Sequence, residues 1–115
     1  MIADTRPPPI GTLTDRVQLR RRVTTDEDEG GEVALFAPIA TVWARVRQLG
    51  ARQDFASDGR GQAITHSVVM RFRTDLKPGD RILYRGAVLE ISAANDMNGR
   101  RAYLSCQCTE RAVTG

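Results

Sequence analysis

The stretch IATVWARVRQL at residues 39–49 alternates between small apolar side chains and large or charged ones, the pattern of a β-strand with one buried face. The residues predicted to face a core are Val42, Ala44 and Val46. The residues predicted to face outward are Trp43, Arg45 and Arg47. Because the period of two persists through the stretch, it assigns one buried and one outward surface to this part of the chain.

A second alternating stretch, ITHSVVMRFR at residues 64–73, predicts another strand of the same kind. One face carries Ile64, His66, Val68, Met70 and Phe72. The opposite face carries Thr65, Ser67, Val69, Arg71 and Arg73. The chain's single histidine, His66, thus falls in an apolar alternation, which favours a place in a core or interface over a catalytic role.

Residues 50–63, GARQDFASDGRGQA, connect these two strands and are too long and too polar for a tight hairpin turn. Loops of this length in a compact domain are usually either functional or disordered. We predict that the protein acts through this loop, and a disordered surface loop is the alternative. The candidate loop residues are Gly50, Arg52, Gln53, Asp54, Phe55, Asp58, Gly59, Arg60 and Gly61.

The length and composition indicate one small domain. The chain has 115 residues, of which 41% are hydrophobic, 27% charged and 5% aromatic. No apolar run approaches the roughly 20 residues of a membrane span, and residues 1–9 lack a secretory pattern, so we expect a cytoplasmic protein with no membrane contact. The net charge of +3 allows contact with nucleic acid or an acidic partner, but a solvated mixed surface has the same balance.

The reactive residues do not form a catalytic or metal-binding pattern. On a strand, Cys106 and Cys108 would share a face with Cα atoms about 7 Å apart, at the limit for a relaxed disulfide. Together with His66 they fall short of a zinc ligand set. We therefore expect free buried thiols, no cofactor, no metal and no enzymatic activity.

The rest of the chain reads as short strands separated by turns. Residues 13–23 predict a first strand with a positive outer stripe of Arg16, Arg20 and Arg22, followed by an acidic turn at 24–31. Residues 32–36 predict a short strand stopped by Pro38, because proline cannot donate to a ladder. Further strands are expected at 81–84, 87–93 and 102–109, after a type II turn at 77–80 and around a hairpin at 98–99.

About six short strands predict an all-β fold, a small antiparallel barrel or sandwich with one long inserted loop. Residues 1–11, which contain three consecutive prolines, are expected to form an extended N-terminal arm, flexible until a partner fixes it. Residues 12–111 are then the single β-barrel domain.

Five motifs in order resemble the phage head-tail joining family, also called head-closure or stopper proteins. The most specific is ATVWARV at residues 40–46, which is similar to the family's "vatvWA" strand. The others are LxDRVxL at 13–19, THxVxMRFR at 65–73, LKPGDRI at 76–82, and YxG at 84–86 followed by LEI at 89–91. One departure is LFAP at 35–38, where the family often carries a tryptophan and a threonine.

The resemblance implies a β-barrel that assembles as a ring of six or twelve copies in the neck of a tailed phage or phage-like particle. The partners it implies are a portal or adaptor protein above, a tail terminator or tail tube protein below, and packaged DNA by non-specific contact. In the family the loop after the "vatvWA" strand points into the channel and helps to retain DNA. Here that loop is residues 50–63, where Arg52 and Arg60 could meet phosphate and Phe55 could contact neighbouring loops.

The resemblance also leads to a predicted subunit interface. Its candidates are Trp43, Arg45, Arg47, Arg71 and Arg73. Trp43 could instead cover one end of the barrel or be a plain core residue. The alternative function is a small barrel module that binds nucleic acid through its arginine-rich strand faces.

Overall fold

The computed structural model describes residues 10–26, 30–50 and 63–112, and in these ranges the chain forms six strands and two 3₁₀ turns. The strands are β1 (Asp15–Asp26), β2 (Glu32–Gln48), β3 (His66–Arg71), β4 (Arg81–Tyr84), β5 (Ala87–Asp96) and β6 (Tyr103–Arg111). The 3₁₀ turns are Ile10–Thr12 and Met97–Gly99. The strands close into a barrel in the order β1-β2-β3-β6-β5-β4, with every neighbouring pair antiparallel. The predicted all-β fold is confirmed.

The core is formed by the inward residues of all six strands, with Leu76 from the segment before β4. Ala44 in β2 and Val68 and Met70 in β3 are fully buried, so the alternation predicted for both stretches is confirmed. Cys106 and Cys108 are free and buried side by side in β6. Burial raises the pKa of the Cys106 thiol to about 12 and also raises that of Cys108, so both are protonated at neutral pH.

The predicted break at Pro38 is wrong, because β2 runs without interruption from Glu32 to Gln48. The register of β1 against β2 shifts there: Leu19 pairs with Ala40, but Arg20 pairs with Pro38. Ile39 is therefore the extra residue of a β-bulge. A bulge is one of the few places where a strand accepts proline, which explains why the strand continues.

β1 also extends further than predicted, because its pairing with β2 continues to Asp26 opposite Glu32. β4 pairs with β1 only at residues 18–20, and β3 pairs with β2 only at residues 44–48. Residues 21–26 and 32–37 consequently have no other strand beside them in the described ranges. We call this two-stranded segment the ribbon. It is an extension of the barrel wall and replaces much of the turn predicted at 24–31.

The predicted turns are present, with one difference in length. At 77–80 the backbone N–H of Asp80 donates to the carbonyl of Lys77 at 3.1 Å, and Gly79 has the positive φ of +98° that a type II turn requires. Arg85 and Gly86 both have positive φ, as in a two-residue type I′ hairpin. The connection at 98–99 is longer than two residues, because β5 continues to Asp96 and β6 starts at Tyr103.

Candidate assembly surfaces

Trp43 lies on the outer surface of the barrel, with 52% of its surface exposed. The core alternative for this residue is therefore wrong. Arg16 is its cross-strand partner on β1, and the Arg16 guanidinium carbon lies 5.0 Å from the centroid of the indole ring. This cation–π contact holds one side of the ring while much of the indole remains open to solvent.

A groove of about 690 Å³ lies beside Trp43, and we call it the aromatic groove. Its lining residues are Leu13, Thr14, Val42, Trp43, Met70, Arg71, Phe72 and Arg73. Three of the five predicted interface residues thus come together here. The other two, Arg45 and Arg47, lie further along β2, opposite Val69 and Ser67 of β3, and do not line the groove.

Arg73 is already engaged within its own chain. Its Nε and Nη2 atoms donate to the two carboxylate oxygens of Asp75 at 2.9 and 2.8 Å. The hydrogen bond from Arg73 lowers the pKa of Asp75, and the same bond raises the pKa of Arg73. Arg71 is exposed and, within the described part of the chain, has no such carboxylate partner, which makes it the more available arginine at the edge of the groove.

A second groove, of about 550 Å³, lies where the base of the ribbon meets β4, β5 and β6. We call it the arginine groove. Its lining residues are Arg22, Ala34, Phe36, Arg81, Glu90 and Arg111. Sequence reasoning identified only Arg22 as an outward residue, and it missed the others because they come from four different strands.

The arginine groove is held together by contacts between strands. The Arg81 guanidinium carbon lies 3.9 Å from the centroid of the Phe36 ring. Arg111 binds Glu90 through two hydrogen bonds of 3.2 and 3.3 Å. Three arginines therefore surround one glutamate, and the groove keeps an excess of positive charge.

Two aspartates tie the strands together at separate points of the barrel. Asp80 is 1% exposed, and its carboxylate accepts hydrogen bonds from the backbone N–H groups of Arg22 at 3.0 Å and Lys77 at 3.1 Å. Asp15 accepts from the backbone N–H of Val46 at 2.9 Å and from the Tyr84 hydroxyl at 3.2 Å. The bond from Lys77 to Asp80 lies within one turn, whereas the bond from Arg22 to Asp80 and both bonds to Asp15 depend on pairings between distant strands.

His66 is buried, and its Nδ1 lies 2.8 Å from the Thr65 hydroxyl oxygen. Its predicted position in the apolar alternation is confirmed.

No group of three or more histidine, cysteine, aspartate or glutamate residues in the described ranges is placed to hold a metal ion. The helical segments within those ranges are two short 3₁₀ turns, and neither has the length or apolar character to cross a membrane.

Of the predicted loop, residues 51–62 lie outside the described ranges. This includes Arg52, Gln53, Asp54, Phe55, Asp58, Gly59, Arg60 and Gly61. Its two ends are described: the backbone N–H of Leu49 donates to the carbonyl of Thr65 at 2.9 Å, which extends the pairing of β2 and β3. The loop therefore starts and ends at one end of the barrel.

The described ranges form a closed antiparallel barrel that carries the aromatic groove and the arginine groove on its surface. A sequence model of the phage head completion protein family matches residues 8–111, and the chain belongs to that family. The family resemblance seen in the sequence is confirmed. Membership supports a structural role at the phage head-tail junction.

Two solved structures share the fold. One is the solution structure of protein SF1141 from Shigella flexneri 2a, with a TM-score of 0.67 and 24% identity over 91% of this chain and 98% of that one. The other is a chain of the virion of a native gene transfer agent particle, with a TM-score of 0.64 and 22% identity over 86% of this chain and 94% of that one. No curated protein matches the sequence.

Proposed function

We propose that the protein is a ring-forming structural subunit of the head-tail connector of a tailed phage or phage-like particle. It docks below the portal or adaptor, closes the DNA channel after packaging and offers the attachment surface for a tail terminator or tail tube protein. The observation that carries this proposal is the family match over residues 8–111. The fold shared with a chain of a gene transfer agent virion supports it.

Channel closure is assigned to residues 50–63, because this segment leaves and re-enters the barrel at the hydrogen bond between Leu49 and Thr65. With its ends held together, seven residues lead out and seven lead back, so its reach is at most about 23 Å at roughly 3.3 Å per residue. One such loop is too small to block a duplex, but loops from every subunit of a ring converge on the axis. Arg52 and Arg60 face phosphate in this arrangement, and Phe55 contacts the neighbouring loops.

Subunit contacts are assigned to the outer surface that carries Trp43, Arg45, Arg47, Arg71 and Arg73. A closed ring uses heterologous interfaces, in which each subunit presents two different patches. The aromatic groove suits one of these patches because a half-exposed tryptophan beside an apolar floor gains from being covered. The chain's only tryptophan thereby becomes a fluorescent reporter of assembly.

The test is electron microscopy of particles that carry either the natural chain or a chain in which a two-glycine linker replaces residues 51–62. We expect a ring beneath the portal in both, with loss of DNA from filled heads only for the shortened loop. A matched control replaces residues 51–62 with glycine and serine at the same length. It separates the contribution of the loop's side chains to DNA retention from the contribution of its length. Absence of the protein from the neck would overturn the proposal, and normal DNA retention by the shortened chain would overturn the closure role.

The nucleic-acid-binding alternative receives less support from the arrangement of the arginines. It needs Arg20, Arg22, Arg71 and Arg73 to act as one surface. Arg22 lines the arginine groove, whereas Arg71 and Arg73 line the aromatic groove. Arg20 donates to Gln18 at 3.0 Å, and Arg73 is paired with Asp75.

A further inference from the structure

The ribbon separates two oppositely charged parts of the chain. Its tip carries four consecutive acids, Asp26, Glu27, Asp28 and Glu29, which we call the acidic tip. At its base, Arg22 pairs with Phe36 beside the arginine groove, and the register continues without a shift to Asp26 opposite Glu32. Four residues of strand, at roughly 3.3 Å each, place the backbone of Asp26 about 13 Å beyond Arg22. β1 therefore leads away from the arginine groove of its own chain as it approaches the acidic tip.

Within the described part of the chain, the arginine groove is lined by more arginines than carboxylates. Glu90 is bound by Arg111, which leaves Arg22 and Arg81 as excess positive charge. The Arg81 Nε atom is buried and has no hydrogen-bond partner within the described part of the chain. Buried polar groups nearly always have a partner, and a carboxylate is a strong acceptor for an arginine donor.

We propose that the arginine groove of one subunit binds the acidic tip of a second copy of this chain. The inference rests on the proposed function, since it identifies one contact between neighbours in the ring. Tip and groove are two different patches, so the contact is head-to-tail and can close a ring. It also covers the ribbon, where the cross-strand neighbours Val23 and Leu35 are 38% and 54% exposed.

Charge complementarity supports this occupant. The acidic tip holds four of the chain's 14 acidic residues in one short segment, and the groove holds three arginines against one glutamate. DNA phosphate has the same sign of charge, so a DNA duplex is the alternative occupant that the test distinguishes.

The test measures self-association of the full chain by sedimentation velocity. We expect association at about 0.01 M salt, where the Debye length is about 30 Å, and dissociation at about 1 M salt, where it is about 3 Å. A tip variant carries Asp26→Asn, Glu27→Gln, Asp28→Asn and Glu29→Gln. A groove variant carries Arg22→Gln and Arg81→Gln. We expect each variant alone to associate at least about tenfold more weakly than the natural chain.

Mixing the two variants gives the decisive result. The tip variant keeps an intact groove and the groove variant keeps an intact tip, so an equimolar mixture should form dimers and stop there. A matched control, Arg100→Gln with Arg101→Gln, removes two exposed arginines outside both grooves and should associate like the natural chain. Thermal melting of each variant establishes that it is folded before its association is interpreted.

Several outcomes would overturn the contact. They are a natural chain that stays monomeric at every salt and concentration, association that neither variant weakens, and a groove variant that fails while the tip variant associates normally. Loss of binding to a DNA duplex by the groove variant, without loss of self-association, would make the groove a phosphate site instead. None of these results bears on the proposed position of the protein in the neck, because electron microscopy tests that position separately.

Discussion

The aromatic groove and the arginine groove are cut into the same barrel but differ in the force that would hold a partner. The first has an apolar floor with a half-exposed tryptophan, so binding there gains mainly from the removal of water. The second has three arginines around one glutamate, so binding there depends on the sign of the partner's charge and weakens with salt. One small barrel can therefore carry two contacts that differ in how strongly their affinity depends on ionic strength.

Each groove is also supported from behind by an aspartate that accepts hydrogen bonds from two elements. Asp80 supports the arginine groove through the backbone of Arg22. Asp15 supports the strand that carries the aromatic groove, through the backbone of Val46. Asp80 is fully buried whereas Asp15 is half-buried, so removing them should affect the molecule to different extents.

The largest effect is expected from Asp80→Ala. The change leaves the N–H groups of Arg22 and Lys77 without an acceptor, and hydrogen bonds to a buried charge contribute about 1.5–3 kcal/mol each. We expect the free energy of unfolding to fall by about 3–5 kcal/mol, a large share of the 5–15 kcal/mol typical of a small domain. Urea unfolding followed by circular dichroism measures it.

Asp80→Asn is the matched control, because it keeps one carbonyl oxygen in place and should cost clearly less. If alanine and asparagine cost the same small amount, the carboxylate does not hold the base of the ribbon. In that case the ribbon owes its position to strand pairing alone.

A smaller effect is expected from Asp15→Ala. This change removes the acceptor for the Val46 N–H and for the Tyr84 hydroxyl in a half-buried position, so we expect a loss of about 2 kcal/mol. Tyr84→Phe removes only the hydroxyl and should account for less than half of the loss. Since β2 carries Trp43, the indole emission should shift in Asp15→Ala and stay unchanged in Tyr84→Phe. A shift in Tyr84→Phe but not in Asp15→Ala would mean that the tyrosine, and not Asp15, supports the aromatic groove.

The two grooves also differ in how far the sequence could predict them. Trp43 and Arg71 belong to two stretches in which every second residue is apolar, so the outward position of both followed from the period of two. Pairing of the two stretches then brings them to the same surface. The half-exposed state of Trp43 did not follow, because a tryptophan on either face of a strand can be buried by a neighbouring element.

The arginine groove could not be predicted, because its residues are separated by up to 89 positions, from Arg22 to Arg111. Only the closed barrel brings β1 beside β4. The strand end predicted at Pro38 is wrong for a related reason, since the bulge that admits proline depends on the register of a partner strand. Local patterns therefore predicted the strand faces and turns, whereas contacts set by strand order and register required the structure.

The smallest effect is expected at the edge of the aromatic groove, where Arg73 binds Asp75. Arg73 holds the pKa of Asp75 below its ordinary value of 3.8, so the pair stabilises the fold above that pH, and the stabilisation is lost as the pH falls through the lowered pKa. Because about a third of each side chain is exposed, we expect the free energy of unfolding to change by less than about 1 kcal/mol. The measurement is urea unfolding between pH 2 and pH 6, in which the acid loss should be smaller in Asp75→Asn than in the natural chain. If both chains lose stability in parallel, the pair contributes nothing to the fold, and Arg73 is as available to a partner in the aromatic groove as Arg71 is.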